Sequence, residues 1–211
     1  DSYLVHGLDS DARNISAARE FVAKAKLAGK VTFDVLRSNS LPYTDNLVNL
    51  IVAGDLGKVS AAEAMRVLRP GGVLYVRTGD KWTSTVKPRS KETDEWTHFL
   101  HSASGNPVSA DTVVAPPRHM QWRASPNWDR SHHKLASISS IVTADGRLFY
   151  IMDSGPSSDM SVEGKWSLVA RDAFNGVLLW RKSMASWAYQ AHGFRSGPVQ
   201  LPRTLVVGPK Y

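Results

Sequence analysis

The sequence contains no cysteine. This absence excludes disulfide bonds, thiolate metal sites and cysteine nucleophiles. The sequence also has no Gly-x-Ser-x-Gly nucleophile elbow and no phosphate-binding P-loop, so neither a hydrolase nor a kinase is indicated. The paired glycines at 71–72 are typical of a turn rather than a phosphate cradle.

Long apolar segments are missing from the 211 residues as well. No run of about 18 apolar residues could span a bilayer, and the opening DSYLVHGLDSD has acids where a secretory signal has a basic stretch. The formal net charge is +7, but the basic residues are scattered among acids, so we expect no specific nucleic-acid binding. These features fit a cytoplasmic or a periplasmic protein equally well.

Tryptophan and histidine are scarce in the first part of the chain. Residues 1–80 contain no tryptophan and one histidine, whereas the seven tryptophans lie between Trp82 and Trp187. The shift predicts two differently built segments and a boundary between them. We predict an α/β domain over 1–80, an aromatic-rich connecting segment over 81–136 and a β domain over 137–211.

Strand and helix patterns alternate in residues 1–80. The predicted strands are YLVHGLD, VTFDVL, NLVNLIVAG and GGVLYVRTG. One predicted helix, SDARNISAAREFVAKAKLAG, ends at Gly29, and the other, SAAEAMRVLRP, begins at Ser60 and is stopped by Pro70. The apolar face of the first helix is formed by Ile15, Ala18, Phe21, Val22 and Ala25. This alternation predicts a mostly parallel sheet covered by helices on both faces.

Three motifs occur in the order VHGLD at 5–9, LPYTDNLVNLIV at 41–52 and RVLRPGGVLYV at 66–76. In this order they resemble the class I S-adenosylmethionine-dependent methyltransferases. The resemblance implies a partial Rossmann-like sheet that binds S-adenosylmethionine at the carboxyl ends of its strands. It also implies that the sequence opens on the family's second strand, without the glycine-rich loop that follows the first. We therefore expect an incomplete piece of a larger protein, inactive by itself.

The resemblance also implies which residues bind the cofactor. In the family an acidic residue at the end of the second strand holds the ribose hydroxyls, and Asp9 lies at that position. A carboxylate can accept both hydroxyl protons of a cis-diol. We assign Ser10, Asn39 and Leu41 to the same cofactor site. The structural alternative for Asp9 is a solvated carboxylate or a helix cap at a strand end, and no catalytic residue is indicated.

Short strands dominate from residue 137 onward. SISSIVTADGRLFYIMD predicts a hairpin turning at Asp145-Gly146, and WSLVARDAFNGVLLWRK predicts a second hairpin turning at Asn175-Gly176. A further cycle is predicted to begin in SGPVQLPRTLVVGPKY. One four-stranded unit and the start of another are typical of a β-propeller.

The segment ARDAFNGVLLW at 170–180 resembles the Ala-x-Asp-x-x-x-Gly-x-x-x-Trp repeat of quinoprotein-type propellers. The resemblance implies that Asp172 and Asn175 fix the turn, Gly176 takes the positive-φ position and Trp180 packs between blades. Some family members bind pyrroloquinoline quinone, but the repeat alone does not imply this cofactor. A methyltransferase-like domain leading into such a propeller also resembles uncharacterised bacterial fusion proteins.

The connecting segment carries aromatic and histidine side chains. Its aromatic residues predict packing against a neighbouring domain, because such surface is seldom left in water; they are Trp82, Trp96, Phe99, Trp122 and Trp128. The pairs His98/His101 and His132/His133 are candidate metal ligands, since a spacing of three on a helix places two imidazoles on one face. Without a cysteine or a helical His-Glu motif beside them, we favour packing over metal binding.

Two functions of different class remain. In the first, the parent protein is a methyltransferase whose propeller presents or recruits an unidentified acceptor or protein partner. In the second, a degenerate methyltransferase fold and a propeller form a non-catalytic binding scaffold. Asn49 stands where the family usually has an aspartate, and this departure and the missing glycine loop favour the second function.

Overall fold

The structure, a computed structural model, describes residues 3–114, 116, 120–127, 137–156, 164–185 and 204–208. The chain divides into two compact units, one of residues 1–68 and 72–87 and the other of residues 69–71 and 88–211. In the described ranges, the first unit combines helices with mostly parallel strands, and the second is built on an antiparallel sheet. None of the helices in those ranges has the length and apolar character needed to cross a membrane.

The first strand, β1 (Val5–Asp9), pairs in parallel with β2 (Val31–Val35). Helix α1 (Ala12–Lys24) connects them, and its N-cap is Asp11, whose carboxylate accepts the Arg13 backbone N–H at 2.8 Å. This connection between neighbouring parallel strands is the βαβ arrangement that the alternating pattern predicts.

The apolar face predicted for α1 is narrower in the structure. Ile15 and Val22 are buried, but Phe21 is 71% exposed and Ala25 is exposed. The prediction is therefore wrong for Phe21 and Ala25. Positions 15 and 22 are seven apart and lie on one narrow stripe, which is the part of the helix surface that packs on the sheet.

Helix α1 also ends earlier than predicted. It stops at Lys24, where the Leu27 N–H donates to the Val22 carbonyl and the Lys26 N–H donates to the Ala23 carbonyl. These two bonds form a Schellman motif, and Lys26 occupies its left-handed position with φ +56°. Gly29 lies beyond the motif, in the turn into β2.

The second half of this unit contains β3 (Val48–Ala53), α2 (Ala61–Val67), β4 (Leu68–Thr78) and β5 (Lys81–Val86). Strand β3 pairs in parallel with β4, and β4 pairs antiparallel with β5. The buried residues Ala64, Leu68 and Leu74 join α2 to this sheet. As predicted, Ser60 is the N-cap of α2, and its hydroxyl accepts the Glu63 backbone N–H at 3.0 Å.

Two boundaries in this half differ from the prediction. Helix α2 ends at Val67 rather than at Pro70, and Pro70 lies inside β4. A proline disfavours helical geometry in the residue before it, so the extended backbone begins ahead of Pro70. The predicted connecting segment is also wrong at its start, because residues 81–86 form β5. A Gly79-Asp80 turn between two β-branched runs is the sequence signal for this hairpin.

The second unit contains an antiparallel sheet of four strands in the order β6 (Ile138–Ala144), β7 (Arg147–Asp153), β8 (Trp166–Asp172) and β9 (Leu178–Ser183). Both predicted hairpins are confirmed. Asp145 (φ +51°) and Gly146 (φ +68°) form the first turn, and these angles match the type I′ turn that Asp-Gly favours. Val142, Phe149 and Ala170 form a buried cluster within the sheet.

The turn between β8 and β9 has the geometry expected from the repeat. The Asp172 carboxylate accepts the backbone N–H groups of Phe174 (2.9 Å) and Asn175 (3.3 Å), and the Asn175 side chain accepts the Val177 N–H at 3.1 Å. Gly176 has a φ of +73°. The predicted strand of a further cycle lies mainly outside the described residues; within them, Val207 packs on the buried cluster of the sheet.

The described part of the aromatic segment contacts the antiparallel sheet. The Thr143 backbone N–H donates to the Trp96 carbonyl at 2.7 Å, and the Trp96 backbone N–H donates to the Thr143 hydroxyl. The Trp122 indole N–H donates to the Ala173 carbonyl at 3.1 Å. Trp82, in contrast, belongs to β5 and stacks on Tyr75 with ring centroids 5.0 Å apart. Trp128 lies outside the described residues.

Candidate functional site

Asp9 lies at the carboxyl end of β1, where the sequence predicts the ribose-binding carboxylate. Its Oδ1 accepts the Asp11 backbone N–H at 2.7 Å, and its Oδ2 accepts the Asn14 side-chain amide at 3.0 Å. The backbone hydrogen bond from Asp11 and then the Asn14 bond lower the pKa of Asp9. The group is therefore a fixed anion at neutral pH, and it is not the N-cap of α1, which is Asp11.

The other predicted cofactor residues lie around Asp9 and in the loop after β2. Ser10 and Asn39 are exposed, and Leu41 is half-buried. The Leu41 backbone N–H donates to Glu63 Oε1 at 2.7 Å. Asn39 lies in a tight turn in which the Ser38 hydroxyl bonds to the backbone N–H and carbonyl of Ser40.

Helix α2 anchors this loop through Glu63 and Arg66. Glu63 binds the Leu41 N–H and the Arg66 guanidinium, and Arg66 also donates to the Tyr43 carbonyl and to Asp45. The Arg66 hydrogen bond and then the Leu41 N–H lower the pKa of Glu63 to about 2. The same pairing raises the pKa of Arg66. Both groups remain charged at neutral pH, and their hydrogen bonds anchor the loop to α2.

A cavity of about 420 Å³ lies beside this loop. Its apolar lining comes from Leu8, Val35, Leu36 and Pro42, and its polar lining comes from His6, Asp34, Arg37, Ser38, Ser40 and Tyr43. The volume lies within the range of small-molecule pockets. Asp9, Asn39 and Leu41 are not among the lining residues, although the neighbours of all three are.

Three side chains that line this cavity, Tyr43, His6 and Asp34, form a continuous hydrogen-bonded chain with Arg19. The Tyr43 hydroxyl lies 2.7 Å from His6 Nδ1, and His6 Nε2 lies 3.2 Å from Asp34 Oδ2. Asp34 Oδ1 accepts a bond from the Arg19 guanidinium at 2.8 Å. Because an ionised carboxylate only accepts, Nε2 of His6 is the donor to Asp34. In the neutral imidazole Nδ1 then accepts the Tyr43 hydroxyl proton.

The burial of Tyr43 is consistent with this direction of donation. Burial, and then the nearby charge of Asp34, raise the pKa of the Tyr43 phenol. The phenol therefore keeps its proton at neutral pH and can donate it. The sequence predicts no site role for His6, Asp34 or Tyr43, because these three residues have no local motif in common.

The histidine pair of the aromatic segment lies on a turn rather than a helix. His98 and His101 form an antiparallel bridge, and His101 has a φ of +71°. His101 Nε2 pairs with Asp94 Oδ2 at 2.7 Å, and His98 Nδ1 contacts the Thr97 hydroxyl at 2.8 Å. The pair therefore does not have the helical geometry that the metal-site alternative requires. In the described part of the chain no three His, Cys, Asp or Glu side chains are grouped to hold a metal ion; His132 and His133 lie outside it.

The chain matches no known family model and no curated protein. Among solved structures, it is similar to the (4+2)-cyclase SpnF, with a TM-score of 0.32 and 28% identity over 35% of this chain and 29% of that chain. It is also similar to the YcgJ protein from Bacillus subtilis, with a TM-score of 0.30 and 23% identity over 34% of this chain and 32% of that chain. Each similarity spans less than a third of the other protein's length.

Proposed function

We propose that the α/β unit is a cofactor-binding part of an S-adenosylmethionine-dependent methyltransferase fold. The motif order VHGLD, LPYTDNLVNLIV and RVLRPGGVLYV supports this proposal, as do the two parallel strand pairs. In this proposal Asp9 binds the ribose hydroxyls, and Ser10, Asn39 and Leu41 surround the nucleoside. The methyl acceptor is not identified by these features.

The observation that carries the proposal is the state of Asp9. A carboxylate that binds a cis-diol must be ionised, held in place and still able to accept protons. Asp9 is partly exposed at a strand end, and its pKa is lowered. Each oxygen accepts one protein hydrogen bond, which leaves acceptor capacity on both oxygens for the two ribose hydroxyls.

Calorimetric titration of S-adenosylmethionine into the 211-residue chain tests this role. We expect weak binding, because the 211 residues contain no Asp/Glu-x-Gly-x-Gly loop. Asp9→Asn should weaken binding at least about tenfold, since two hydrogen bonds to a charged acceptor are lost. Asp55→Asn is the matched control, because Asp55 follows β3 and its carboxylate accepts the backbone N–H of Gly57 in its own turn.

The titration also separates the two functions. Binding that depends on Asp9 and not on Asp55 supports the methyltransferase. Equal affinity of the Asp9 and Asp55 variants contradicts the role of Asp9 and favours the scaffold. For the chain alone we expect no methyl transfer, and turnover by the purified chain would contradict that expectation.

We also propose that the antiparallel sheet is one blade of a quinoprotein-type propeller that binds a protein partner. The turn formed by Asp172, Asn175 and Gly176 supports this proposal. A non-catalytic scaffold is the alternative to the methyltransferase. It is favoured by Asn49, which stands where the methyltransferase family usually has an aspartate. Asn49 lies at the register shift of β3 between Val48 and Leu50.

A further inference from the structure

The cavity beside the loop after β2 has polar groups that the proposed cofactor site does not use. Its lining includes Tyr43 and Arg37, and neither belongs to the set Asp9, Ser10, Asn39 and Leu41. The apolar lining side chains favour a ligand with an apolar body, and the polar groups select its substituents. The chemistry of the two polar groups therefore indicates the class of ligand.

Tyr43 is the end of the hydrogen-bonded chain that a ligand can reach. Both ring nitrogens of His6 are already occupied, one by Tyr43 and the other by Asp34. A ligand therefore cannot use either nitrogen without breaking the chain. The Tyr43 oxygen donates one proton to His6 and keeps its acceptor capacity. A ligand hydroxyl can donate to that oxygen.

Arg37 provides a positive charge that can bind an anionic group of a ligand. It lines the cavity and is exposed, and among the described residues its guanidinium forms no hydrogen bond and no ion pair. Arg19, the neighbouring cation, is bound to Asp34 and to the Phe33 carbonyl. A guanidinium binds carboxylates and phosphates through paired N–H donors. Arg37 is therefore suited to hold an oxyanion in this cavity.

We propose that this cavity binds a small amphipathic molecule with an oxyanion held by Arg37 and a hydroxyl bound to Tyr43. The ligand hydroxyl donates a hydrogen bond to the Tyr43 oxygen, while the Tyr43 hydroxyl donates to His6 Nδ1 and His6 Nε2 donates to Asp34. Tyr43 touches the ligand, whereas His6 and Asp34 act through Tyr43 as positioning residues.

Calorimetric titration with three probes tests the binding site. The probe 4-hydroxybenzoate has an apolar body, a carboxylate and a hydroxyl; benzoate lacks the hydroxyl, and 4-hydroxybenzyl alcohol lacks the carboxylate. We expect 4-hydroxybenzoate to bind most tightly. Arg37→Gln should lower the affinity for both carboxylate probes at least about tenfold and leave the affinity for 4-hydroxybenzyl alcohol unchanged. Arg77→Gln, on an arginine at the β4–β5 hairpin, should change none of the three.

Tyr43→Phe tests the hydroxyl contact. It removes one oxygen and keeps the ring, so it should weaken 4-hydroxybenzoate about threefold or more and leave benzoate unchanged. The absence of saturable binding by 4-hydroxybenzoate would overturn the site. The site would also be overturned by affinities that Arg37→Gln does not change, or by a Tyr43→Phe loss of affinity that is equal for 4-hydroxybenzoate and benzoate.

The direction of the hydrogen-bonded chain can be measured without a ligand. Nitrogen-15 NMR of the imidazole reports which ring nitrogen carries the proton in the neutral form. We expect His6 to be protonated on Nε2, because the Asp34 carboxylate that faces this nitrogen can only accept. A His6 that carries its proton on Nδ1 would overturn the assigned direction, because Tyr43 could then not donate to it.

Discussion

The two units achieve their polar contacts over very different separations along the chain. In the antiparallel unit, Asp172 accepts hydrogen bonds from residues two and three positions away. In the α/β unit, the Tyr43–His6–Asp34 chain joins residues 37 and 28 positions apart. Turn chemistry is a local property and can be read from a few residues. The polar chain at the cavity exists only once β1, β2 and the loop after β2 have packed.

The largest predicted loss of stability is at Gly176, in the turn between β8 and β9. Its φ of +73° disfavours a Cβ, and a Cβ there would lie 2.5 Å from the Trp122 ring. Gly176→Ala should therefore reduce the free energy of unfolding by about 2–5 kcal/mol, from backbone strain together with overpacking. Chemical denaturation followed by near-ultraviolet circular dichroism measures this change.

Gly29→Ala is the matched control for Gly176. Gly29 also has a positive φ, +91°, but a Cβ there meets no atom within 4 Å. The expected loss is about 1 kcal/mol, from backbone strain alone. Equal losses at the two glycines would show that the Trp122 contact does not constrain the turn.

Gly7 in β1 tests packing without backbone strain. A Cβ at Gly7 would lie 2.4 Å from the Phe33 ring on the neighbouring strand. Gly7→Ala should cost about 1–3 kcal/mol by overpacking. The double variant Gly7→Ala/Phe33→Leu should cost less than the sum of the two single variants, because the smaller side chain makes room. Additive losses would contradict a direct contact.

Acid sensitivity should occur in both units, through different carboxylates. Glu63 and Asp94 each have a pKa of about 2; Arg66 is the main cause for Glu63, and the Ala110 N–H is the main cause for Asp94. Because these values are lowered on folding, their stabilisation is present above the unfolded value near 4 and is lost as the pH falls toward about 2.

Glu63→Gln and Asp94→Asn should each flatten the loss of stability between about pH 5 and 2. Amide hydrogen exchange assigned to each unit is the measurement. Glu63→Gln should act on the α/β unit, and Asp94→Asn should act on the unit that contains the antiparallel sheet. An unchanged acid dependence in either variant would contradict the corresponding pKa.

The smallest predicted effect is a stabilisation. Lys26 occupies the left-handed position of the Schellman motif after α1, where glycine is usual. Lys26→Gly should raise the free energy of unfolding by about 0.5–1 kcal/mol, because relief of strain exceeds the added chain entropy. A loss of stability on Lys26→Gly would contradict the assigned strain.

The sequence predicted more of the backbone than of the packing. The strands, the Ser60 cap and the two hairpin turns follow from periodicity, capping and turn chemistry, which act within a few residues. The end of α1 was wrong because Lys26 closes the Schellman motif without a glycine. Strand β5 was missed because its residues also fit an exposed connecting segment. Phe21 was wrong because periodicity identifies an apolar stripe but not how wide the packed part is.

For the candidate site, the sequence by itself determined that Asp9 follows a strand and precedes a helix, because strand and helix patterns are local. Only the tertiary structure decided that Asp9 is held by Asn14, and that Tyr43, His6 and Asp34 join at one cavity. Hydrogen bonds between residues so far apart depend on strand register and loop packing, to which every residue of the unit contributes.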